Sequence, residues 1–492
     1  MRISQLAAGL ECEIIGGDCR VTGLSYDSRR VQPGDVFFAI RGFKTDGHKY
    51  IEQAAANGAA AVVVDTIQVL DSDITQVVVA DTRVAMAEMS AAFFQHPSRK
   101  LRVIGVTGTN GKTTTTYLIK AILEQAGFKV GLIGTIQTLI DQTVIPAVRT
   151  TPESLDLQSL LARMVAEQVE YVVMEVSSHA LELNRTAGLE FDTAVFTNLT
   201  QDHLDFHHDF THYFQAKAKL FVNLAAAGTK SKKLAVINYD DSYGLKMAAQ
   251  SSAQVFSYGI EQPAQIRACD LEIFGDGMKY QLVTPFGCTD LNMNLTGRFN
   301  VYNTMAAAAA CLAEGVSLEQ IKIGLEKVRG VPGRFELVDA GQDFTVIVDY
   351  AHTPDSLTNV LKTARSFTEN RILAVFGAGG DRDRAKRPLM GQAAARHSDY
   401  VILTSDNPRS EDPERICSEI EQGIIAEKDK TPNFDYTIEV DRGRAIEKAI
   451  RMAVKGDTII IAGKGHETYQ EFADHTIDFD DRAEALRILK EL

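Results

Sequence analysis

No block rich in lysine and arginine occurs anywhere in the 492 residues, and the formal net charge is −14. A chain that neutralises a phosphate backbone carries a local basic surplus, so a nucleic-acid partner is not expected. Also missing is any uncharged apolar stretch of ~18 residues, the length a membrane-spanning helix needs. The opening, MRISQLAAGLECEIIGG, has no apolar run of signal-peptide length. The expectation is a cytoplasmic protein with no membrane partner. Six cysteines (Cys12, Cys19, Cys269, Cys288, Cys311, Cys417) lack CxxC or histidine-paired spacing, against a zinc site or a disulfide framework, and are read as reduced fillers. No internal repeat or low-complexity segment is visible. Nothing resembles G-x-S-x-G, so Ser177, Ser178 and His179 do not read as part of a hydrolase triad.

What is present is ordinary globular composition, 45% hydrophobic and 24% charged, in a chain too long for one core. Two to four domains are expected, with three as the working number. Residues 1–98 mix β-rich runs at 61–64 and 77–79 with Ala-rich helical segments at 51–57 and 84–94, a small α/β domain. His96-Pro97 interrupts the helical pattern, because a residue before proline is pushed away from helix. From residue 101 strands (101–106, 129–134, 171–176, 193–198) alternate with helices (112–125, 154–167), the mark of a parallel doubly wound sheet. Short strands around Gly275–Gly277 suggest an antiparallel appendage before a helix at 301–314. Val331-Pro332-Gly333 is a turn signal. Beyond it, apolar runs at 346–348, 372–376, 401–403, 437–440 and 458–461 alternate with helical stretches, a second, Rossmann-like α/β domain. The expected division is 1–98, 99–330 and 331–492.

The sharpest motif is Thr107-Gly108-Thr109-Asn110-Gly111-Lys112-Thr113-Thr114, at a strand end and opening a helix. Glycines let the backbone wrap phosphate oxygens, the helix N-terminus points amides at them, Lys112 supplies charge and Thr113 can ligate Mg²⁺. It departs from G-x-x-x-x-G-K-[ST] at Val106, which stands where the first glycine belongs. ATP is the expected nucleotide. The loop alone leaves kinase, GTPase, motor and ligase open.

This variant loop is similar to that of Mur ligases and folylpolyglutamate synthetases. Three later segments resemble Mur-ligase motifs and stand in the family's order: Asn198-Leu199-Thr200-Gln201-Asp202-His203-Leu204-Asp205, Gly297-Arg298-Phe299-Asn300-Val301-Tyr302-Asn303, and Asp349-Tyr350-Ala351-His352-Thr353-Pro354. Asp27-Ser28-Arg29, Pro33-Gly34-Asp35 and Asp46-Gly47-His48 resemble the UDP-binding domain of the family branch that adds the third amino acid. Gly379-Gly380-Asp381-Arg382-Asp383, Asp406-Asn407-Pro408-Arg409 and Gly463-Lys464-Gly465-His466-Glu467 match the C-terminal signature of the same branch.

The resemblance implies roles. Glu175, at the carboxyl end of its strand, would hold Mg²⁺, and His203 would ligate a second Mg²⁺, although Mg²⁺ prefers oxygen and a lone histidine there reads as a loop residue. His207, His208 and His212 are read as surface residues. Lys217, on a predicted helix where an exposed lysine is the default, would react as a neutral amine with CO₂ to give a carbamate that binds Mg²⁺. Gly108–Thr114, Asn303, Arg334 and Asp349 would contact ATP, Asp349 through ribose hydroxyls, while His352 either lines that site or is structural. Ser28 would contact the uridine nucleotide, and Thr150, Thr151, Ser177 and Arg185 the muramoyl dipeptide. Arg382, Asp406, Asn407, Pro408, Arg409, Gly463 and Glu467 would hold meso-diaminopimelate, with Arg409 pairing the carboxylate that lysine lacks.

The implied reaction is phosphorylation of the terminal D-Glu carboxylate of UDP-N-acetylmuramoyl-L-alanyl-D-glutamate by ATP, then attack of the diaminopimelate amine on the acyl phosphate, by a monomer with Mg²⁺. The alternatives are a lysine-adding or folylpolyglutamate-type ligase, disfavoured by Arg409 and by the segment from Asp27 to His48, and a P-loop ATPase or kinase switch, which leaves Asp406–Arg409 without purpose.

Overall fold

The computed structural model describes residues 1–43, 45–225, 228–428, 430–431 and 434–492. It is a mixed α/β chain with several sheets. Contacts divide it into two compact units. The first comprises Met1–Gly105, Phe128–Ala194 and Lys219–Leu234; the second comprises Val106–Gly127, Val195–Ala218 and Ala235–Leu492.

In the first unit a five-stranded sheet runs in the order Cys12–Ile15, Thr75–Val79, Ala61–Val64, Asp35–Phe38, Gly23–Ser25. All pairs are parallel except the edge strand Cys12–Ile15. Ala61–Val64 is buried throughout, as a central strand covered on both faces must be. Helix Thr82–Phe93 is capped by Asp81, whose carboxylate accepts from the N–H groups of Arg83 and Val84. Helix Ser154–Ala166 packs beside it, and Tyr26 donates to Asp156 at 2.6 Å. In the same unit Tyr171–Glu175 pairs in parallel with Val130–Ile133. Two strands absent from the sequence reading, Gln137–Ile140 and Thr143–Pro146, extend this arm antiparallel. Asp141 at φ +54° reverses the chain between them, a conformation that aspartate tolerates better than most residues.

The second unit opens on helix Lys112–Gln125, packed by Arg298–Ala313 and Leu318–Glu326. The former is apolar nearly all round, with Ala306–Ala310 fully buried, so it can lie only inside the unit. The appendage anticipated near Gly275–Gly277 is an antiparallel meander of Ile266–Ile273, Met278–Thr284 and Gly287–Met293. Beyond it a six-stranded sheet runs in the order Glu336–Leu337, Thr345–Asp349, Thr458–Ala462, Ile372–Phe376, Tyr400–Leu403, Asp435–Ile438. The last five are parallel, and apolar clusters cover both faces. Asp349, Arg382, Asp406–Arg409 and Gly463–Glu467 all lie at or just past carboxyl ends of these strands, where ligands bind in such sheets.

Behind those loops Arg442 and Asp481, both 0% exposed, form a bidentate pair with two bonds of 2.7 Å. Arg442 also donates to the carbonyls of Ser405 and Ala462, tying together the exits of two strands. Removing one partner leaves a buried charge uncompensated. Arg442→Met is expected to lower unfolding free energy by about 3–5 kcal/mol in urea titrations followed by circular dichroism, whereas Arg442→Met/Asp481→Leu recovers much of that loss.

Candidate active site

The glycine loop has the backbone its chemistry requires. Gly108 (φ +151°) and Gly111 (φ +86°) leave no room for a side chain: a Cβ would lie 1.8 Å from Thr197 Oγ1 and 2.3 Å from Asn303 Oδ1 respectively. Asn198 clamps the loop, accepting from Asn110 N through Oδ1 (2.8 Å) and from Thr109 N through its carbonyl (2.9 Å). Asn110 Nδ2 donates to Asp355 Oδ2 at 3.1 Å.

Two lysines meet at one carbonyl oxygen. Lys112 Nζ donates to Gly108 O at 2.9 Å and to Thr109 O at 2.7 Å; Lys217 Nζ donates to Gly108 O at 2.8 Å. Lys217, on helix Phe210–Val222, is buried rather than exposed, with its Nζ 4.6 Å from the centre of the Tyr213 ring. Burial, and then the nearby positive charge of Lys112, hold this amine well below the ordinary lysine range, against the opposing pull of Asp202. That shift favours the neutral amine, the form able to attack CO₂.

Asp202 is buried among positive groups. Burial alone would raise its carboxyl, but the charges of His203, His352, Lys386 and Lys112 outweigh it and hold it far below the usual carboxylate range. His203, at φ +55°, places Nε2 3.3 Å from Asp202 Oδ2. His207 corrects the sequence reading: it is buried, its ring 5.1 Å from that of Tyr213, whereas His208 and His212 are exposed as expected.

Elsewhere in the second unit, Arg334 donates through Nη2 to Thr113 Oγ1 at 3.1 Å and lies 4.5 Å from the centre of the Tyr350 ring. Its Nε is buried with no hydrogen-bond partner among the described residues, as expected of a group awaiting an anion. Asn303 donates to Asn300 Oδ1 at 2.9 Å. Asp349 accepts from Phe335 N at 2.6 Å, and burial pushes its carboxyl up to about 6 against the pull of Arg334. His352 Nδ1 lies 2.8 Å from Tyr350 O, so Nδ1 carries the proton and donates.

In the first unit, Glu175 is 1% exposed and accepts from Thr135 N (2.8 Å) and Thr135 Oγ1 (3.0 Å); that hydroxyl also lies 3.0 Å from Thr150 Oγ1. Thr151 Oγ1 donates to Glu175 O at 2.9 Å and accepts from Ser177 N at 3.1 Å. Ser177 caps the short helix Ser178–Glu182 by accepting from Ala180 N. Arg185 donates to Thr151 O (3.1 Å) and pairs with Glu153 (2.8 Å), and its buried Nε has no partner among the described residues. Thr150, Thr151, Ser177, Arg185 and Glu175 thus form one polar cluster. Ser28 stands elsewhere in the unit and donates to Gln53 Oε1 at 2.8 Å.

The loops at the carboxyl ends of the six-stranded sheet form their own cluster. Arg409, at φ +51°, donates to Glu471 Oε2 (2.9 Å) and Gly380 O (2.8 Å), so its fork is oriented before any ligand arrives. Gly380 lies so close to Pro408 O that a Cβ would meet it at 1.8 Å, and a Cβ on Gly463 would lie 2.5 Å from Asp406 Oδ2. Arg382 is exposed. Asn407 Nδ2 donates to Glu467 Oε2 at 2.8 Å. Sequence reasoning passed over Lys464 and Asp202: both stand inside quoted motifs, but no spacing rule marks a lysine between two glycines, or an aspartate before a histidine, as buried.

Three family models match the chain: "Mur ligase family, catalytic domain" over residues 20–101, "Mur ligase middle domain" over 106–311 and "Mur ligase, glutamate ligase domain" over 333–465. The UDP-N-acetylmuramoyl-L-alanyl-D-glutamate–2,6-diaminopimelate ligase of Geobacillus thermodenitrificans is 50% identical over 97% of this chain and 96% of its own. That of Clostridium acetobutylicum is 46% identical over the full length of both. A solved structure of a ligase of that name superposes with a TM-score of 0.69 at 35% identity, covering 100% of this chain and 99% of the other. MurF ligase from Thermotoga maritima in complex with ADP shares the fold at a TM-score of 0.62, with 17% identity over 96% of each chain.

The titration of His352 carries a prediction. Burial, then the repulsion of Lys386, lowers it from 6.5 to about 4 in the folded protein, so between these values the unfolded chain binds more protons. Stability is intact above about 6.5 and falls as pH drops toward 4, by up to about 3 kcal/mol from this group. His352→Asn, which can still donate to Tyr350 O, is expected to flatten the fall in unfolding midpoint over that range; an unchanged slope would contradict the assignment.

Proposed function

The chain belongs to the Mur ligase family, and from that membership we propose that it is the ATP-dependent ligase that adds meso-diaminopimelate to UDP-N-acetylmuramoyl-L-alanyl-D-glutamate in peptidoglycan synthesis. The observation that carries the reading is the meeting of Lys112 and a buried Lys217 at Gly108 O: one side chain suited to phosphate beside an amine whose burial favours the neutral form that carbamylation needs. In this reading residues 1–98 hold the UDP-muramoyl group, 99–330 the ATP and 331–492 the amino acid. The matched segments 20–101, 106–311 and 333–465 support that division.

Among the described residues no group of three histidine, cysteine or acidic side chains could hold a metal. A hard cation would need other oxygens, and the residues present can supply them. In the second unit Thr113 and a carbamate on Lys217 would offer oxygen and His203 nitrogen; in the first unit Glu175 would offer oxygen. Mg²⁺ held by such donors would neutralise charge on the transferring phosphoryl group.

The chemistry asked of the protein is mainly positioning. The carboxylate oxygen of D-Glu attacks the γ-phosphorus of ATP and ADP leaves. The diaminopimelate amine then attacks the acyl carbon, phosphate is expelled and the amine gives up its proton. Lys112 and the loop amides offset the charge of the phosphates. Arg334 offers its uncommitted Nε to an anion, and Asp349 accepts from ribose hydroxyls. Thr150, Thr151, Ser177 and Arg185 suit the dipeptide's carbonyl and carboxylate groups. Arg409 meets the distal carboxylate of diaminopimelate, while Glu467 and Asp406 face its ammonium groups, with Arg382, Asn407, Pro408 and Gly463 shaping the pocket.

Two variants test this. Lys217→Ala is expected to lower kcat at least about 100-fold and to lose the response to bicarbonate that wild type shows after CO₂ is stripped; near-normal, CO₂-independent turnover would contradict the carbamate. In product assays with competing amino acids, Arg409→Ala is expected to raise KM for diaminopimelate by about 10–200-fold and to erase its preference over lysine. Retained preference would remove Arg409 from the specificity role.

A further inference from the structure

Lys464 has no exposed surface, although a buried lysine needs a stated compensation. It stands between Gly463 (φ +112°) and Gly465 (φ +54°), whose left-handed conformations turn the chain tightly after strand Thr458–Ala462. Its Nζ donates to Asn407 Oδ1 and to Glu467 Oε2, each at 3.2 Å, and lies 5.4 Å from the centre of the Tyr469 ring. Asn407 closes a ring of three side chains, since its Nδ2 donates to the same Glu467 Oε2 at 2.8 Å. The other end of the amide is also taken, because Asn407 Oδ1 accepts from Glu471 N at 3.0 Å.

This ring directs both side-chain hydrogen bonds of Glu467 to one oxygen. Oε1 keeps no hydrogen bond among the described residues. Three ionisable groups stand together here, Asp406, Glu467 and Lys464, while Arg442 is committed to Asp481. With all three ionised the set carries one net negative charge, the complement of one ammonium group. Without Lys464 it would carry two, on a buried Asp406 and a half-buried Glu467.

We infer that Lys464 is a positioning residue of the amino-acid site: it anchors Glu467 through Oε2, directly and through Asn407, so that Oε1 is presented to an ammonium group of the incoming amino acid. The inference rests on the reading of this chain as an amino-acid ligase. Burial and then Asp406 push the Glu467 carboxyl up, while Lys464 and its bonded Asn407 pull it down. The other titratable groups facing it are Tyr350, Tyr469 and Arg442. Loss of Lys464 therefore raises the pH at which Glu467 becomes protonated and stops binding an ammonium.

The test is steady-state kinetics of the full-length Lys464→Met enzyme, varying each of the three substrates from pH 6 to 9. The expected result is a rise in KM for diaminopimelate of tenfold or more, with KM for ATP and for the UDP-dipeptide within twofold of wild type. The acid limb of the diaminopimelate KM profile is expected to move to higher pH, and Lys464→Arg to restore part of the change. If the methionine variant does not fold, Lys464→Gln serves, since it can still donate to Asn407 Oδ1 but lacks the charge; it is expected to show the moved acid limb. An unmoved limb, or a parallel rise in all three KM values, would overturn the inference and leave Lys464 as a fold element. A wild-type enzyme with no diaminopimelate-dependent turnover would instead overturn the ligase reading itself.

Discussion

The glycine-loop part of the second unit is organised around one carbonyl oxygen that two lysine side chains share. Gly108 O accepts from Lys112 and from Lys217, and two full positive charges cannot both settle there in a buried place. The conflict resolves by solvation. Lys112 is only half-buried, whereas burial and the nearby charge of Lys112 hold the Lys217 amine well below the ordinary lysine range. Everything nearby serves this division. Gly108 and Gly111 clear the space, Asn198 pins the loop, Tyr213 backs Lys217, and Asp202 supplies negative charge facing Lys112, Lys386 and His203. The result is one lysine suited to phosphate and another suited to covalent modification, a few ångströms apart.

The six-stranded sheet of the same unit rests on a different principle. Its loops leave the carboxyl ends of parallel strands, where backbone groups are least tied down, and buried ion pairs hold them from behind. Arg442 and Asp481 brace the exits after Leu403 and Ala462; Arg387, also buried, pairs with Glu411 and Glu419 and donates to Gly379 O. Neither arginine is placed to meet substrate. Both order the backbone from which Arg409 and Glu467 project, so a ligand that met those side chains would cost less ordering entropy.

How much of this could be read beforehand follows from the physics of each element. Helix Lys112–Gln125 was legible to the residue at both ends, because a glycine loop opens it and Ala126-Gly127 closes it. Apolar central strands such as Ile372–Phe376 and Thr458–Ala462 were equally plain, since burial on both faces demands unbroken hydrophobic runs. Short strands with mixed exposure, Cys12–Ile15 and Gly23–Ser25, carry no such signal. The glycine loop opening a helix was legible from local chemistry, but the burial of Lys217 was not, because burial of a helical lysine depends on what packs against it. His207 misled for the same reason. Family resemblance supplied Lys217 and Arg409, and only three-dimensional placement brings Lys464 to Glu467.

The central claim is that this architecture joins a particular diamino acid to a muramoyl dipeptide at the expense of ATP. The most direct measurement is phosphate release by the purified protein with ATP and the UDP-muramoyl dipeptide, comparing meso-diaminopimelate, L-lysine and no amino acid. Release that requires diaminopimelate is the predicted result. Equal release with lysine would contradict the role given to Arg409, and release without either amino acid would contradict the ligase account and favour a P-loop ATPase.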